Sequence, residues 1–268
     1  MAKTLFLDKI ITVGTTYKTD EREALIIRLL GTNSTSKMTF KIDRKPCLET
    51  IQDVAPAYKT NSTIIGPLDL GDYYLVIPPN TEFAIEGESG SYARIIGEKI
   101  QLEPQEPLGE PYTSRYHAQF SNYITYVTGA IALGTDEAFP AGDEKEIYSL
   151  KPSSIERYVF NDFASISYSG GTVNPGDFAL VFYIDNNPFE FIQGENEPLG
   201  IDILHLPAYN KADANEYPFS FSIMPIEITG PHLLSLRIIN ISGADKAPAS
   251  GSAWSFTFYA VVKYHRME

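Results

Sequence analysis

The groups in this chain with chemistry to offer are four histidines, one cysteine and a surplus of carboxylates. Zinc and its relatives need nitrogen and sulfur ligands brought together at short, regular spacings. His117, His205, His232 and His265 stand far apart, with no HxH or HExxH pattern, and Cys47 has no second cysteine to pair with. An intrachain disulfide is therefore excluded, and Cys47 reads as a buried, inert thiol. His205, inside "IDILHLP", reads as a hydrogen-bonded core histidine. Nucleophilic and phosphate chemistry lack their local signatures too: the chain holds no GxSxG elbow, no GxGxxG and no GxxxxGK[ST] loop. No catalytic, cofactor-binding or metal-ligating residue is assigned on these grounds.

Carboxylates are harder to set aside, because two acids from distant strands suffice for glycoside hydrolysis. Glu82, Glu86 and Glu88 border one apolar run, and Glu190 and Glu195 follow another. Acids at alternating positions read first as the solvent face of a strand. "GTDEAFPAGDEKE" (134–146) gathers Asp136, Glu137, Asp143, Glu144 and Glu146, and "DNN" (185–187) closes a strand. Ca²⁺ is the ion such oxygen-rich loops suit, although neither has EF-hand spacing, and a solvated acidic loop is the expected reading. Tyr112, Tyr116, Tyr123 and Tyr126 crowd one stretch, where exposed rings would stack on sugars. The plainer expectation is that Tyr123 and Tyr126, in a strand, cover core.

The elements that must carry these residues read as strands. Seventeen tyrosines and fifteen phenylalanines against four methionines favour pleated surfaces. "TEFAIEGE" (81–88) alternates, with Phe83 and Ile85 on one side and glutamates on the other. "DFALVFYID" (177–185) is apolar on both faces, as a central strand is. "DYYLVIPP", "YARIIGEKIQL", "NYITYVTGAIALG" and "VFNDFASISYS" add further strands. In "AWSFTFYAVVKYH" (253–265), Trp254, Phe256, Phe258, Ala260, Val262 and Tyr264 share one face, a period of two that no helix can keep on one side. Helical signals are few. "TDEREALIIRLLG" (19–31) has an acidic start and a glycine stop, yet "ALIIRLL" suits a buried strand better. In "SSIERYVF" (153–160), Ser153 with Glu156 has the spacing to cap a single turn.

The expected fold is all-β: two tandem antiparallel β-sandwich or jelly-roll-like domains. "EPQEPLGEP" (103–111) carries three prolines, which hinder ladder pairing and favour an extended spacer. It is expected to join residues 1–102 to residues 112–268, with a long loop inside one domain as the alternative. Short echoes between the halves, Gly66-Pro67 and Gly230-Pro231 each ahead of a strand and an "SGS" turn, leave internal duplication open.

A formal net charge of −13 repels phosphate backbones and anionic headgroups, so neither nucleic acid nor a membrane surface is an expected partner. No apolar run approaches the roughly 18 residues of a membrane helix. Asp8 and Lys9 interrupt "LFLDKII", which excludes a signal-peptide core and points to folding in a cytoplasm. The Asn33, Asn61 and Asn240 sequons are then without meaning.

In overall style the chain resembles viral and phage structural proteins built from β-sandwich or jelly-roll domains, of the capsid decoration, minor capsid or head-fibre kind. "GPHLLSLRIINISG" before an aromatic last strand and "DYYLVIPPNTEFAIEGESGSYARI" carry that resemblance, which includes no diagnostic motif. It implies a non-enzymatic protein of the virion, made in the host cytoplasm, that assembles with itself, as trimers or symmetric arrays, and with other virion structural proteins. Two other classes stay open: a carbohydrate-binding or adhesive module of a phage tail or cell surface, and a β-sandwich glycoside hydrolase.

Overall fold

A computed structural model describes residues 3–58, 66–160, 163–189, 200–205, 219–220 and 225–267, with backbone alone for Phe163, His205, Phe219 and Ser220. The all-β expectation holds, with antiparallel ladders throughout the named sheets. The chain divides into two compact units, Met1–Tyr126 with Lys263–Arg266, and Val127–Val262 with Met267–Glu268. The proline-rich residues 103–111 fall within the range of the first.

In the first unit the strands are β1 (Lys3–Thr12), β2 (Thr16–Lys18), β3 (Glu23–Thr32), β4 (Met38–Ile42), β5 (Lys45–Thr50), β6 (Leu68–Asp69), β7 (Leu75–Ile77), β8 (Glu82–Glu86) and β9 (Tyr92–Gln101). They make two sheets, one ordered β1-β9-β3-β6 with β7 also on β3, the other β2-β8-β4-β5. On β4 and β8 the alternation is clean: Met38, Phe40, Ile42, Phe83 and Ile85 are buried, and Phe40 stacks on Phe83 with centroids 6.2 Å apart. Within the 19–31 stretch, residues 23–31 are strand and not helix, as "ALIIRLL" suggests, and that strand is buried on both faces. Ala24 and Ile26 join Val76, Ile100 and Leu102 in a cluster covered by Tyr74, Leu108, Tyr112 and Tyr116, while Leu25 and Ile27, on the opposite side of the pleat, are also buried.

Tyr112 and Tyr116 of that cover come from a helix the sequence reading does not anticipate, α1 (Tyr112–Ala118). Two polar side chains fasten it. Arg115 spends its donors on backbone oxygens: Nε to Tyr74 at 2.8 Å, Nη2 to Tyr73 at 3.1 Å, and both Nη atoms to Asn122 at 3.2 Å. Its burial pulls the guanidinium pKa below the ordinary value. Just past the helix, the fully buried Gln119 accepts from the Val76 amide at 2.9 Å and donates to the Val76 carbonyl at 3.0 Å. The primary amide thus supplies β7 with the two bonds a further strand would make.

Gly97 on β9 faces β3 where the ladder shifts between Ile27 and Leu29, and a Cβ there would run into the Ile26 carbonyl oxygen. A backbone oxygen cannot swing aside as a side chain can. Gly97→Ala is expected to destabilise the first unit by about 1–3 kcal/mol, read as a lower midpoint in urea with an unchanged slope.

Strand β10 (Asn122–Ala132) runs across the division between units. The second unit then holds β11 (Glu144–Leu150), β12 (Glu156–Phe160), β13 (Phe163–Ser169), β14 (Phe178–Ile184), β15 (Asn187–Pro188), β16 (Ile201–Asp202), β17 (Phe219–Ser220), β18 (Ile226–Thr229), β19 (Leu234–Asn240) and most of β20 (Ser255–Arg266). One sheet is ordered β17-β13-β20-β12-β18, with β10 also on β20; the other is β11-β19-β14-β15, with β16 also on β14. Side chains of both sheets meet in one core: Phe178, Phe182, Leu236 and Ile238 from the second, Ile166, Phe256, Phe258 and Val262 from the first. The "VFNDFASISYS" run is two strands, β12 ending at Phe160 and β13 beginning at Phe163. Ser153 and Glu156 do pair reciprocally, Ser153 N to Glu156 Oε2 at 2.9 Å and Glu156 N to Ser153 O at 3.0 Å, but the turn they close opens a strand, not a helix.

Candidate functional site

The histidines do not converge. His117 is exposed on α1. His232 bonds Asp185 through Nδ1 at 2.6 Å. His265 lies between Asn122 Oδ1, 3.0 Å from Nδ1, and the Tyr73 hydroxyl, 3.2 Å from Nε2, which makes it a tether within the first unit. The side chain of His205 lies outside the described residues. Among the described residues no group of three or more His, Cys, Asp or Glu is placed to hold a metal ion.

The acids of 134–146 are each occupied by a donor of their own unit. Asp136 accepts from Gly251 N at 2.6 Å, Glu137 from Gly134 N at 2.6 Å, and Asp143 pairs with Lys145 at 2.8 Å. Glu144 takes Arg237 Nη1 at 2.8 Å and the Tyr183 hydroxyl at 2.7 Å, and Glu146 takes the Ser235 hydroxyl at 2.6 Å. They are dispersed along a loop and a strand rather than gathered round a point. The "DNN" stretch is a two-residue hairpin between β14 and β15, with Asp185 and Asn186 at φ 51° and 62°, the geometry such turns require.

Glu82 and Glu86 project from the outer face of β8 into a cleft of about 190 Å³, beside Lys41 and Arg44. Glu86 pairs with Lys41 at 2.5 Å, and Glu88 accepts from the Thr35 hydroxyl at 3.2 Å. Glu190 and Glu195 lie outside the described residues. The tyrosines are largely built in. Tyr112 meets Tyr74 edge-on, the Tyr116 hydroxyl donates to Asp43 at 2.8 Å, and Tyr123 packs on Tyr264 with centroids 4.8 Å apart. Burial, with Asp43 adding to it, pushes Tyr116 up to about 12; burial, with Glu49 and Asp53, does the same for Tyr126.

The feature that composition and motif reading passed over is β1. Among the described residues it ends its sheet, and eight of its ten residues are exposed. Leu7 and Ile11 point into the core, while on the opposite side Phe6 is 79% exposed and Ile10 39%. The signal was available: "KTLFLDKIIT" is apolar on both faces, which marks a strand covered on both sides. The ladder to β9 fixes which backbone groups are free. Residue numbers in each pair sum to the same value, and Val13 N continues the series by donating to Ser91 O at 3.0 Å. In an antiparallel pair such residues alternate with ones that point away. Odd-numbered residues of β1 therefore bond β9, and Thr4, Phe6, Asp8, Ile10 and Thr12 turn their N–H and C=O outward. Thr12 N is taken by the Tyr17 hydroxyl at 3.1 Å and Thr12 O by the Thr15 amide at 3.3 Å. Between Phe6 and Ile10, Asp8 is held by Arg94 in a two-pronged pair, at 2.9 and 2.7 Å.

This pair gives the molecule an acid-sensitive term. Hydrogen bonds from Arg94 hold the Asp8 carboxyl below its ordinary value, and His232 with the Leu233 amide does so for Asp185. A carboxyl depressed in the folded state adds stability that is complete above its unfolded pKa of about 3.9 and fades as pH drops through the folded one. The melting temperature is expected to fall from pH 6 to pH 3, and to fall less in Asp8→Asn, measured by calorimetry.

Comparison with known proteins gives no sequence relative: no family model matches the chain, and no curated protein does. Solved structures that are similar include the major capsid protein P2 from bacteriophage PM2, at 11% identity and a TM-score of 0.29 over 100% of this chain and 98% of that one. The ANXUR2 extracellular domain from Arabidopsis thaliana follows at 10% and 0.29, over 94% and 83%. The infectious bursal disease virus VP2 subviral particle matches at 12% and 0.23, over 100% and 76%. Two viral capsid proteins and a plant receptor domain at such scores carry no argument about role.

Proposed function

We propose that this protein is a non-enzymatic structural component of a virion, of the capsid decoration, minor capsid or head-fibre kind, which acts by assembling with itself and docking on other particle proteins. The observation that carries the assembly half of this reading is β1, a ten-residue edge strand with Phe6 in solvent. A long edge strand with apolar side chains in solvent is a template for pairing, and proteins that stay monomeric often interrupt such edges with a proline or a bulge. The ladder of β1 to β9 has no bulge, and β1 has no proline. The virion half is supported by the textural resemblance of the chain to such proteins. No helix among the described residues is long and apolar enough to cross a membrane.

Light scattering on a gel-filtered sample tests the assembly half, and electron microscopy of the material it copurifies with tests the virion half. A mass of two or more chains, with particles in the source, is expected. A strict monomer that associates with no particle overturns the proposal.

A further inference from the structure

We infer that β1 is a two-fold interface: it pairs antiparallel with β1 of a second copy, centred on Asp8, so that Phe6 of each chain lies opposite Ile10 of the other. This rests on the assembly reading above and names its partner.

The outward backbone groups set the terms. Only residues that turn N–H and C=O outward can form the close hydrogen-bonded pairs of an antiparallel ladder. On β1 these are Thr4, Phe6, Asp8 and Ile10; Thr12 is engaged within its own chain, its amide held by Tyr17 and its carbonyl accepting from Thr15 N at 3.3 Å. A two-fold axis at Asp8 maps Phe6, Asp8 and Ile10 onto one another, and the side chains select it. Phe6 meets Ile10 of the second copy, Asp8 meets Asp8, and Ile10 meets Phe6, each pair exchanging two bonds. A contact of this kind is isologous, the same patch used twice, which closes at two copies and can also join larger symmetric shells.

Side chains favour the same register. Phe6 and Ile10, the two outer-face apolar residues left in solvent, sit symmetrically about Asp8, so each covers the other's counterpart. Asp8 facing Asp8 would be repulsive if either came bare. Each arrives with Arg94 already bonded to both carboxylate oxygens, so the axis carries two aspartates and two arginines. The edge also suits an acidic chain. Against a net charge of −13, β1 sets Lys3 and Lys9 beside a single aspartate, which makes it a place where two copies approach without strong repulsion.

Two cysteine variants and one charge variant test it on the full chain. In the proposed register the Asp8 Cα atoms are about 5.5 Å apart, inside the disulfide window; the two Phe6 Cα atoms, offset by four residues, are about 13 Å apart. Asp8→Cys is expected to give a covalent dimer on treatment with diamide, and Phe6→Cys to stay uncrosslinked. Cys47 is buried, with its thiol pushed far up by burial, and takes no part. Phe6→Glu is expected to weaken self-association at least tenfold in sedimentation equilibrium. Because Phe6 is in solvent in the single chain, the far-ultraviolet spectrum of the variant should stay that of the parent. Cross-linking of Phe6→Cys instead of Asp8→Cys overturns the register. An assembling parent whose mass is untouched by Phe6→Glu, with no cross-link in either variant, overturns the β1 interface and leaves the assembly reading standing. A monomeric parent overturns the assembly reading itself.

Discussion

Trp254→Ala is expected to cost the second unit about 3–5 kcal/mol, as large-to-small changes at buried aromatics do. Trp254 is 1% exposed and sits in a ring cluster: stacked on Phe256 at 6.0 Å and edge-on to Phe178 at 5.3 Å. Its indole N–H donates to the Lys246 carbonyl at 2.8 Å, so alanine removes that donor along with the packing. The site cannot close easily. Gly171 leaves room for the indole, since a Cβ there would come within 2.8 Å of it, and a glycine has no side chain to lean into the void. Phe139 and Phe178 are held by further ring contacts, at 5.5 Å to one another and 6.2 and 5.2 Å to Phe256. Urea unfolding followed by far-ultraviolet dichroism should show the midpoint falling sharply. A loss below 1 kcal/mol would mean that the cluster repacks.

Gln119→Leu is expected to be nearly as damaging to the first unit, at about 2–5 kcal/mol, although leucine is similar in size and apolar. The loss is not of packing. The Val76 amide and carbonyl would be left in the interior without partners, and each orphaned backbone group costs about 1–3 kcal/mol. Gln119→Glu keeps an acceptor for the amide but puts a negative oxygen against the carbonyl, so it should not rescue. The direct reading is hydrogen exchange: the Val76 amide should be strongly protected in the parent and exchange far faster in Gln119→Leu. Equal protection in both would show that the ladder between β3 and β7 holds without the side chain.

How much of this was legible beforehand depends on whether a residue's partner is local. Strands β8 and β20 were readable because a pleat writes its burial into the order of residues: Phe83 and Ile85 against Glu82 and Glu86, and the ring series from Trp254 to Phe258. The stretch "ALIIRLL" was ambiguous for a physical reason, burial of both faces of β3, which erases the alternation. Helix α1 was invisible. Its seven residues have no apolar stripe to reveal it, and Arg115 and the adjacent Gln119 bind backbone atoms more than forty positions away. The carboxylates failed in the opposite sense. Their clustering in sequence suggested a cation, but Glu144 and Glu146 find Arg237 and Ser235 about ninety residues on. The exposed side of β1 was half legible, since its two apolar faces were in plain view and only the folded structure leaves Phe6 and Ile10 in solvent.

The first unit takes in Lys263–Arg266, whose contacts within it include Tyr264 against Tyr123, His265 between Tyr73 and Asn122, and the Arg266 amide on the Ser121 carbonyl. During translation those four residues leave the ribosome only after the whole of the second unit's main span, Val127–Val262, has been made. The first unit thus cannot be completed until the main span of the second has been made, and a nonsense codon just upstream of Lys263 would strip it of Lys263–Arg266.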